Sequence, residues 1–172
     1  RRILKVGCYK FGLEVGLLAK IEAVNDAQSL FKIEVIAVVG SNPVLKNRKV
    51  IELTDSLFSM TATAKKPLYF ESLQYSGLPH SIQNQLQISA YLGIPVIVGA
   101  QVDTILCFWS SQTKTEPFKA VDRELLKLMA QWIGGELERQ QTAQALAKAR
   151  DEALAATKAK SEFLATMSHE IR

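Results

Sequence analysis

An α+β fold is predicted: an antiparallel sheet flanked by helices, followed by a long C-terminal helix that forms a parallel coiled-coil dimer. Three observations predict it. Helix and strand signals alternate through the first 135 residues, and two pairs of strands are joined by hairpin signals. All nine glycines and all five prolines lie at or before Gly135. Beyond it the chain fills with Ala, Glu, Lys, Arg and Gln, the strongest helix formers, and Phe163 is its one aromatic residue.

Residues 1–12 read as an amphipathic helix with Ile3, Leu4, Val6 and Gly7 on one side. Two strands follow, Leu13–Glu22 and the Val/Ile-rich Phe31–Val39, with Asn25-Asp26 as a hairpin turn. Ser41-Asn42-Pro43 is a loop and Val50–Leu53 a short strand. Thr54 or Asp55 is expected to cap a helix running to about Ala64, which Pro67 ends before a strand at Leu68–Phe70. Leu78–Ile88 reads as a helix. Tyr91–Val98 and Val102–Trp109 are apolar strands joined at Gly99-Ala100-Gln101, a hairpin signal. Pro117-Phe118 precedes the last helix, whose first turn carries Asp122 and Glu124, favourable to the macrodipole.

That last helix meets no stop, and Gly134-Gly135 is its weak point, at about 1 kcal/mol per Gly relative to Ala. Carried to Arg172 it spans about 50 residues, or ~75 Å. Most helical stability in proteins comes from packing, so it needs a partner. A 3,4-spaced seam runs through Leu125, Leu128, Trp132, Gly135, Arg139, Thr142, Leu146, Ala149, Ala153, Ala156, Lys160, Phe163 and Met167. A parallel homodimeric coiled coil is one reading of it; a solvated single helix is the other.

The 172 residues are 48% hydrophobic and 22% charged, which supplies a core and excludes the disorder signature. No apolar run is long enough to span a membrane. Two cysteines exclude a disulfide scaffold and fit a reducing cytoplasm. From Glu136 onward six basic and six acidic residues cancel, so the surplus of +4 lies in residues 1–135. There it is scattered in short clusters without interleaved aromatics, so no nucleic acid is expected as a partner.

Chemistry concentrates near the end of the chain. His169 falls two residues past the seam position Met167, toward solvent, with Glu170 beside it. An imidazole is a side chain that can act as an uncharged nucleophile at neutral pH. The string Phe163-Leu164-Ala165-Thr166-Met167-Ser168-His169-Glu170-Ile171-Arg172 resembles the H-box, the dimerisation and phosphoacceptor segment of sensor histidine kinases. The resemblance implies that His169 attacks the γ-phosphate of ATP and that Glu170 orients or deprotonates it. It also implies a response regulator or receiver domain as partner, and ATP with Mg for a parent kinase. The match stops at Arg172, and no Gly-rich or Asn-bearing ATP-binding segment is present. The chain is therefore expected to be a piece of that kinase, unable to bind ATP or phosphorylate itself.

Residues 1–138 resemble a GAF domain of bacterial, cyanobacterial-like type in three places. These are Gly7-Cys8 with Phe11-Gly12-Leu13-Glu14-Val15-Gly16, then Tyr91-Leu92-Gly93-Ile94-Pro95-Val96, and Pro117-Phe118 through Arg139. The expected organisation is a GAF-like sensory domain at 1–135, a connecting helix at 136–159 and the start of the phosphoacceptor helix at 160–172. GAF domains differ in ligand, so the fold names none. A pocket would lie between the sheet and segments 54–64 and 73–90, with Phe58, Met60, Tyr75, His80 and Tyr91 as candidate lining residues; core is the preferred reading of the same residues. A covalent bilin needs a thiol in that pocket. Cys8 reads as a helix position, Cys107 as a strand position, and Phe58 stands where part of the subgroup carries a Cys, so no covalent bilin is expected. No metal site is expected either, because His80 lacks companion ligands.

Overall fold

A computed structural model describes the chain apart from residues 26–29, 43–44, 46–49, 55, 65, 78–85 and 172; of 23–25, 30, 53–54, 75 and 103 it describes the backbone only. The described residues fall into two units, Arg1–Gly134 and Gly135–Arg172.

The first unit is built on a six-stranded antiparallel sheet of order β3-β2-β1-β6-β5-β4. Its strands are β1 (Val15–Asn25), β2 (Leu30–Val39), β3 (Val50–Thr54), β4 (Leu68–Phe70), β5 (Ala90–Val98) and β6 (Gln101–Ser110). The expected hairpin between the first two strands forms, with Gly16 opposite Val39 and Asn25 opposite Leu30; its turn lies outside the described residues. The β5–β6 hairpin closes over two residues, Gly99 and Ala100, and Gly99 takes the positive φ (65°) that such a turn requires at its first position.

Side chains alternate across a strand, so the sheet has two apolar faces. One carries Val15, Leu17, Ala19, Ile33, Tyr91, Ile105, Cys107 and Trp109, all buried. It is covered by α2 (Leu57–Thr63) and by Leu73, Leu86 and Ile88. The other carries Phe108, whose ring packs edge-on against Phe11 at 5.1 Å between centroids. Here lie α1 (Arg2–Phe11) and the beginning of α3 (Ala120–Glu170). A Cβ on Gly7 would strike the Phe108 ring and come within 3.0 Å of Met129, which places α1 against both sheet and α3. The expected antiparallel sheet flanked by helices is thus a three-layer arrangement.

Two expectations need correction, and a third lies mostly outside the described residues. The buried side of α1 is Leu4, Gly7 and Phe11, whereas Val6 is 48% exposed. It sits about 200° round from Leu4 on a helix of 3.6 residues per turn. The N-cap of α2 is Ser56, not Thr54, which ends β3, nor Asp55. Ser56 Oγ accepts from Ser59 N–H at 3.3 Å, and Ser59 Oγ accepts from Ser56 N–H at 3.0 Å, a reciprocal capping box that satisfies two otherwise orphaned donors. The helix expected at Leu78–Ile88 lies mostly outside the described residues; Leu86 and Gln87 at its end form a turn, with Gln87 at φ 52°.

Helix α3 runs through Gly134-Gly135 without a break. Its start is fixed by Asp122, whose carboxylate accepts from Lys119 N–H at 2.8 Å. Within the first unit its buried residues are Leu126, Met129, Ala130, Ile133 and Gly134, all of them adjacent to a seam residue except Ala130, which lies midway between Leu128 and Trp132. The seam residues Leu128 and Trp132 are exposed instead, at 61% and 62%. The opening turns of α3 therefore carry two apolar stripes, one spent on the sheet and one free in this chain. In the second unit every residue from Glu138 to Ile171 is exposed. No described helix is long and apolar enough to cross a membrane.

Candidate functional site

Two places carry the expected functional residues. The first lies between α2 and the sheet. Tyr91, on the second position of β5, points into this layer and is fully buried. Its hydroxyl stands 2.6 Å from Thr61 Oγ1, 2.9 Å from Cys107 Sγ and 3.4 Å from the Leu57 carbonyl. Thr61 donates to that same carbonyl at 2.7 Å, so in its contact with Tyr91 it accepts. The three side chains tie α2 to the neighbouring strands β5 and β6 by polar contacts inside an apolar core. Low dielectric makes such contacts strong when satisfied and costly when left open.

Burial raises the phenol of Tyr91 well above its ordinary value, and the neighbouring Cys107 adds to the rise. Burial likewise pushes the Cys107 thiol up to about 12, so it stays protonated and unreactive at neutral pH. Phe58, on α2, closes the layer: its ring lies 6.2 Å from Tyr91 and 5.6 Å from Trp109, between centroids. Met60 is partly buried against the same cluster. Gly93 is the counterpart of this arrangement. A Cβ there would fall 2.5 Å from Tyr91 Oη and 2.8 Å from Thr61 Oγ1, so only glycine leaves room for the hydrogen-bonded pair.

Of the candidate lining residues, the structure places Phe58 and Tyr91 in the buried cluster on this face of the sheet, with Met60 packed against it. Tyr75 belongs to a 3₁₀ turn, Leu73–Tyr75, and its side chain lies outside the described residues, as does His80 altogether. Thr61 and the Tyr91–Cys107 contact were not singled out by the sequence. Thr61 reads there as one more polar residue on a short helix, and its partner lies 30 residues on.

Cys8, the other thiol, belongs to α1, on the opposite side of the sheet from Phe58. It is half-buried beside Gly16, and burial raises it. No group of three or more His, Cys, Asp or Glu among the described residues has the arrangement of a metal site.

The second place is the end of α3. His169 and Glu170 are its last two residues, both exposed, and line a shallow surface depression with Ala165 and Thr166. Thr166 spends its hydroxyl on the Glu162 carbonyl at 3.0 Å. His169 is thus exposed at the end of a regular helix.

No family profile and no curated protein matches the chain. Solved structures do. It is similar to the GAF domain of PixJ from Thermosynechococcus elongatus in its blue-light-absorbing form, at 15% identity and TM-score 0.65, covering 86% of this chain and 88% of that one. A domain assigned to a two-component sensor histidine kinase of Sinorhizobium meliloti 1021 superposes at 9% identity and TM-score 0.64, over 85% and 93% of the two chains. The GAF domain of an Acinetobacter phosphoenolpyruvate-protein phosphotransferase does so at 13% identity and TM-score 0.61, over 83% and 82%. At these identities the likeness defines a class by its fold. The chain has a GAF-like fold with a long C-terminal helix, and its structural neighbours include GAF sensor domains, some of them from sensor histidine kinases.

Proposed function

We propose that the chain is the sensory, dimerising and phosphoacceptor-bearing part of a two-component histidine kinase of the cytoplasm. The observation that carries this reading is the sequence segment Phe163–Arg172, whose Phe163–Glu170 portion lies on the same helix that leaves the GAF-like unit, with His169 exposed near its end. In this reading an imidazole nitrogen of His169 forms a bond to the γ-phosphorus of ATP as the bridging P–O bond breaks and ADP leaves. Glu170 holds the ring and takes up its proton. Positioning and charge neutralisation supply most of the catalysis in such a transfer, and Mg bound with ATP on the parent's nucleotide domain supplies the latter. The phosphoryl group then passes to the carboxylate of a receiver domain.

The free stripe of α3, from Leu128 and Trp132 through Leu146 to Phe163 and Met167, is exposed throughout and supports a homodimer through this helix. The thiols support the absence of a covalent bilin. Cys107 is sealed in the core with its proton held, and Cys8 lies across the sheet from Phe58.

The test is a fusion at Arg172 to the remaining hairpin helix and ATP-binding domain of a histidine kinase, incubated with γ-labelled ATP. Acid-labile, base-stable label is expected on the wild-type fusion, more than 100-fold less on His169→Gln and an intermediate amount on Glu170→Gln. Equal labelling of wild type and His169→Gln would overturn the reading.

One observation favours a second reading, a dimerisation scaffold whose GAF-like unit binds nothing: Phe58 and Tyr91 are buried and in ring contact with each other, as core residues are. Intact mass and absorbance of the purified protein separate the two, since a retained small molecule belongs only to the sensing one.

A further inference from the structure

The edge strand β4 is three residues long, yet residues 69–71 contact the approach to α3 at Lys114 and Phe118 and α3 itself at Arg123. Glu71 Oε1 accepts from Phe118 N–H at 3.0 Å, and the Glu71 carbonyl accepts from Lys114 N–H at 2.8 Å. The Tyr69 ring packs edge-on to Phe118 at 6.4 Å between centroids, and the Arg123 guanidinium lies over it at 5.0 Å. Arg123, in the first turns of α3, also donates to the Phe118 carbonyl at 3.1 Å. Lys114 covers Phe118 from its own loop, with Nζ 5.5 Å from the ring centre. Phe118 is buried, but Tyr69 is 40% exposed, so this is a polar and aromatic clasp at the surface. A partly hydrated cation–π contact is of the kind that forms and breaks readily.

Five residues before Leu68 the chain leaves α2, and α2 is pinned to the sheet by Thr61, Tyr91 and Cys107. A shift of α2 therefore has a short covalent path to β4, and β4 has direct contacts to the first turns of α3. We propose that Tyr69 and Glu71 with Phe118 and Arg123 form a latch that carries a change at α2 to the start of α3, with Arg123 as its coupling residue. The inference rests on reading α3 as the output element, but its test reads the GAF-like unit alone and fails or succeeds independently of His169.

Amide hydrogen exchange on the whole 172-residue chain is the experiment. Thr61→Val keeps the side-chain volume and removes the hydroxyl that Tyr91 and Leu57 use. It is expected to speed exchange of amides 57–63 and, through the latch, of 121–125 by 5-fold or more. Arg123→Gln alone should speed 121–125 and leave 57–63 unchanged. In the double variant Thr61→Val should add nothing further at 121–125. Thr61→Ser, which keeps the hydroxyl, should restore wild-type exchange. Slow exchange of Leu17 and Leu106 in the central strands certifies that each variant is folded; if Thr61→Val is not, Tyr91→Phe takes its place. Unchanged exchange at 121–125 in the α2 variant, or effects that multiply in the double variant, would overturn the proposal.

Discussion

Residues 1–134 keep their shape by what they bury, while residues 138–170 form a stretch of helix whose side chains are all exposed. In the first unit Trp109, Tyr91, Phe58 and Phe108 are closed from solvent, and the helices are ordered because the sheet gives them a surface. In the second, support is local and weak. Its i,i+4 ion pairs, Lys148–Glu152 at 3.9 Å and Lys158–Glu162 at 3.8 Å, are exposed. Each is worth about 0.3–0.5 kcal/mol in such settings, and both place the base N-terminal to the acid, the less favourable orientation. The contrast shows how one continuous helix can change its source of stability along its length: tertiary packing up to Gly134, then helix propensity and local side-chain pairs.

The sharpest way to break this comparison is to damage one unit and watch the other. Trp109→Ala removes a fully buried indole that packs on Phe58, and should cost about 3–5 kcal/mol in urea unfolding followed by near-ultraviolet circular dichroism. If the cost falls below about 1 kcal/mol, the core is not what holds the first unit.

A smaller effect, with opposite signs at adjacent positions, marks the boundary itself. A Cβ on Gly134 would strike the Ile97 carbonyl, whereas one on Gly135 meets nothing within 4 Å. Gly134→Ala should lose more to overpacking, about 1–3 kcal/mol, than the ~1 kcal/mol that helix propensity returns. Gly135→Ala should gain about 1 kcal/mol, read as higher helicity and a raised thermal midpoint. Two changes of the same sign would show that packing does not end where the contacts do.

The smallest expected effect is titratable. Glu14 accepts from Ser111 N–H at 3.0 Å and from Ser111 Oγ at 2.9 Å, and these bonds, the backbone one first, hold its carboxyl below the ordinary glutamate value. A depressed acid contributes stability above its unfolded value and loses it as pH falls through the folded one. Glu14→Gln should therefore lower the midpoint slightly at pH 7 and converge with wild type below the ordinary glutamate range, near pH 4. A gap that persists unchanged in acid would assign the effect to packing.

Much of this was legible in the sequence, for identifiable reasons. The β-branched run Phe31–Val39 and the Gly99 turn are local signals, and both strands and hairpin form where they predict. Leu68–Phe70 matches β4 at both ends because Pro67 and Glu71 bracket it. The cap of α2 was misplaced because Thr54, Asp55 and Ser56 are all good caps, and only the length of β3 chooses among them. The inward stripe of α3 was hidden because apolar residues come in adjacent pairs, Leu125-Leu126 and Leu128 with Met129, so a 3,4 count fits either side. The Thr61–Tyr91–Cys107 contact is invisible to any local pattern, since it exists only once α2 has docked on the sheet. His169, by contrast, was found by its own string of neighbours and needed no tertiary structure.

The sealed thiol has a practical consequence. Burial pushes the Cys107 thiol up to about 12, so it stays protonated at neutral pH, and the same burial keeps reagents from it. For labelling, the molecule behaves almost as a single-cysteine protein, with half-buried Cys8 the remaining background. Spin labels, fluorophores or crosslinkers introduced along Thr142–Lys160 would report on the helix from an unmodified core.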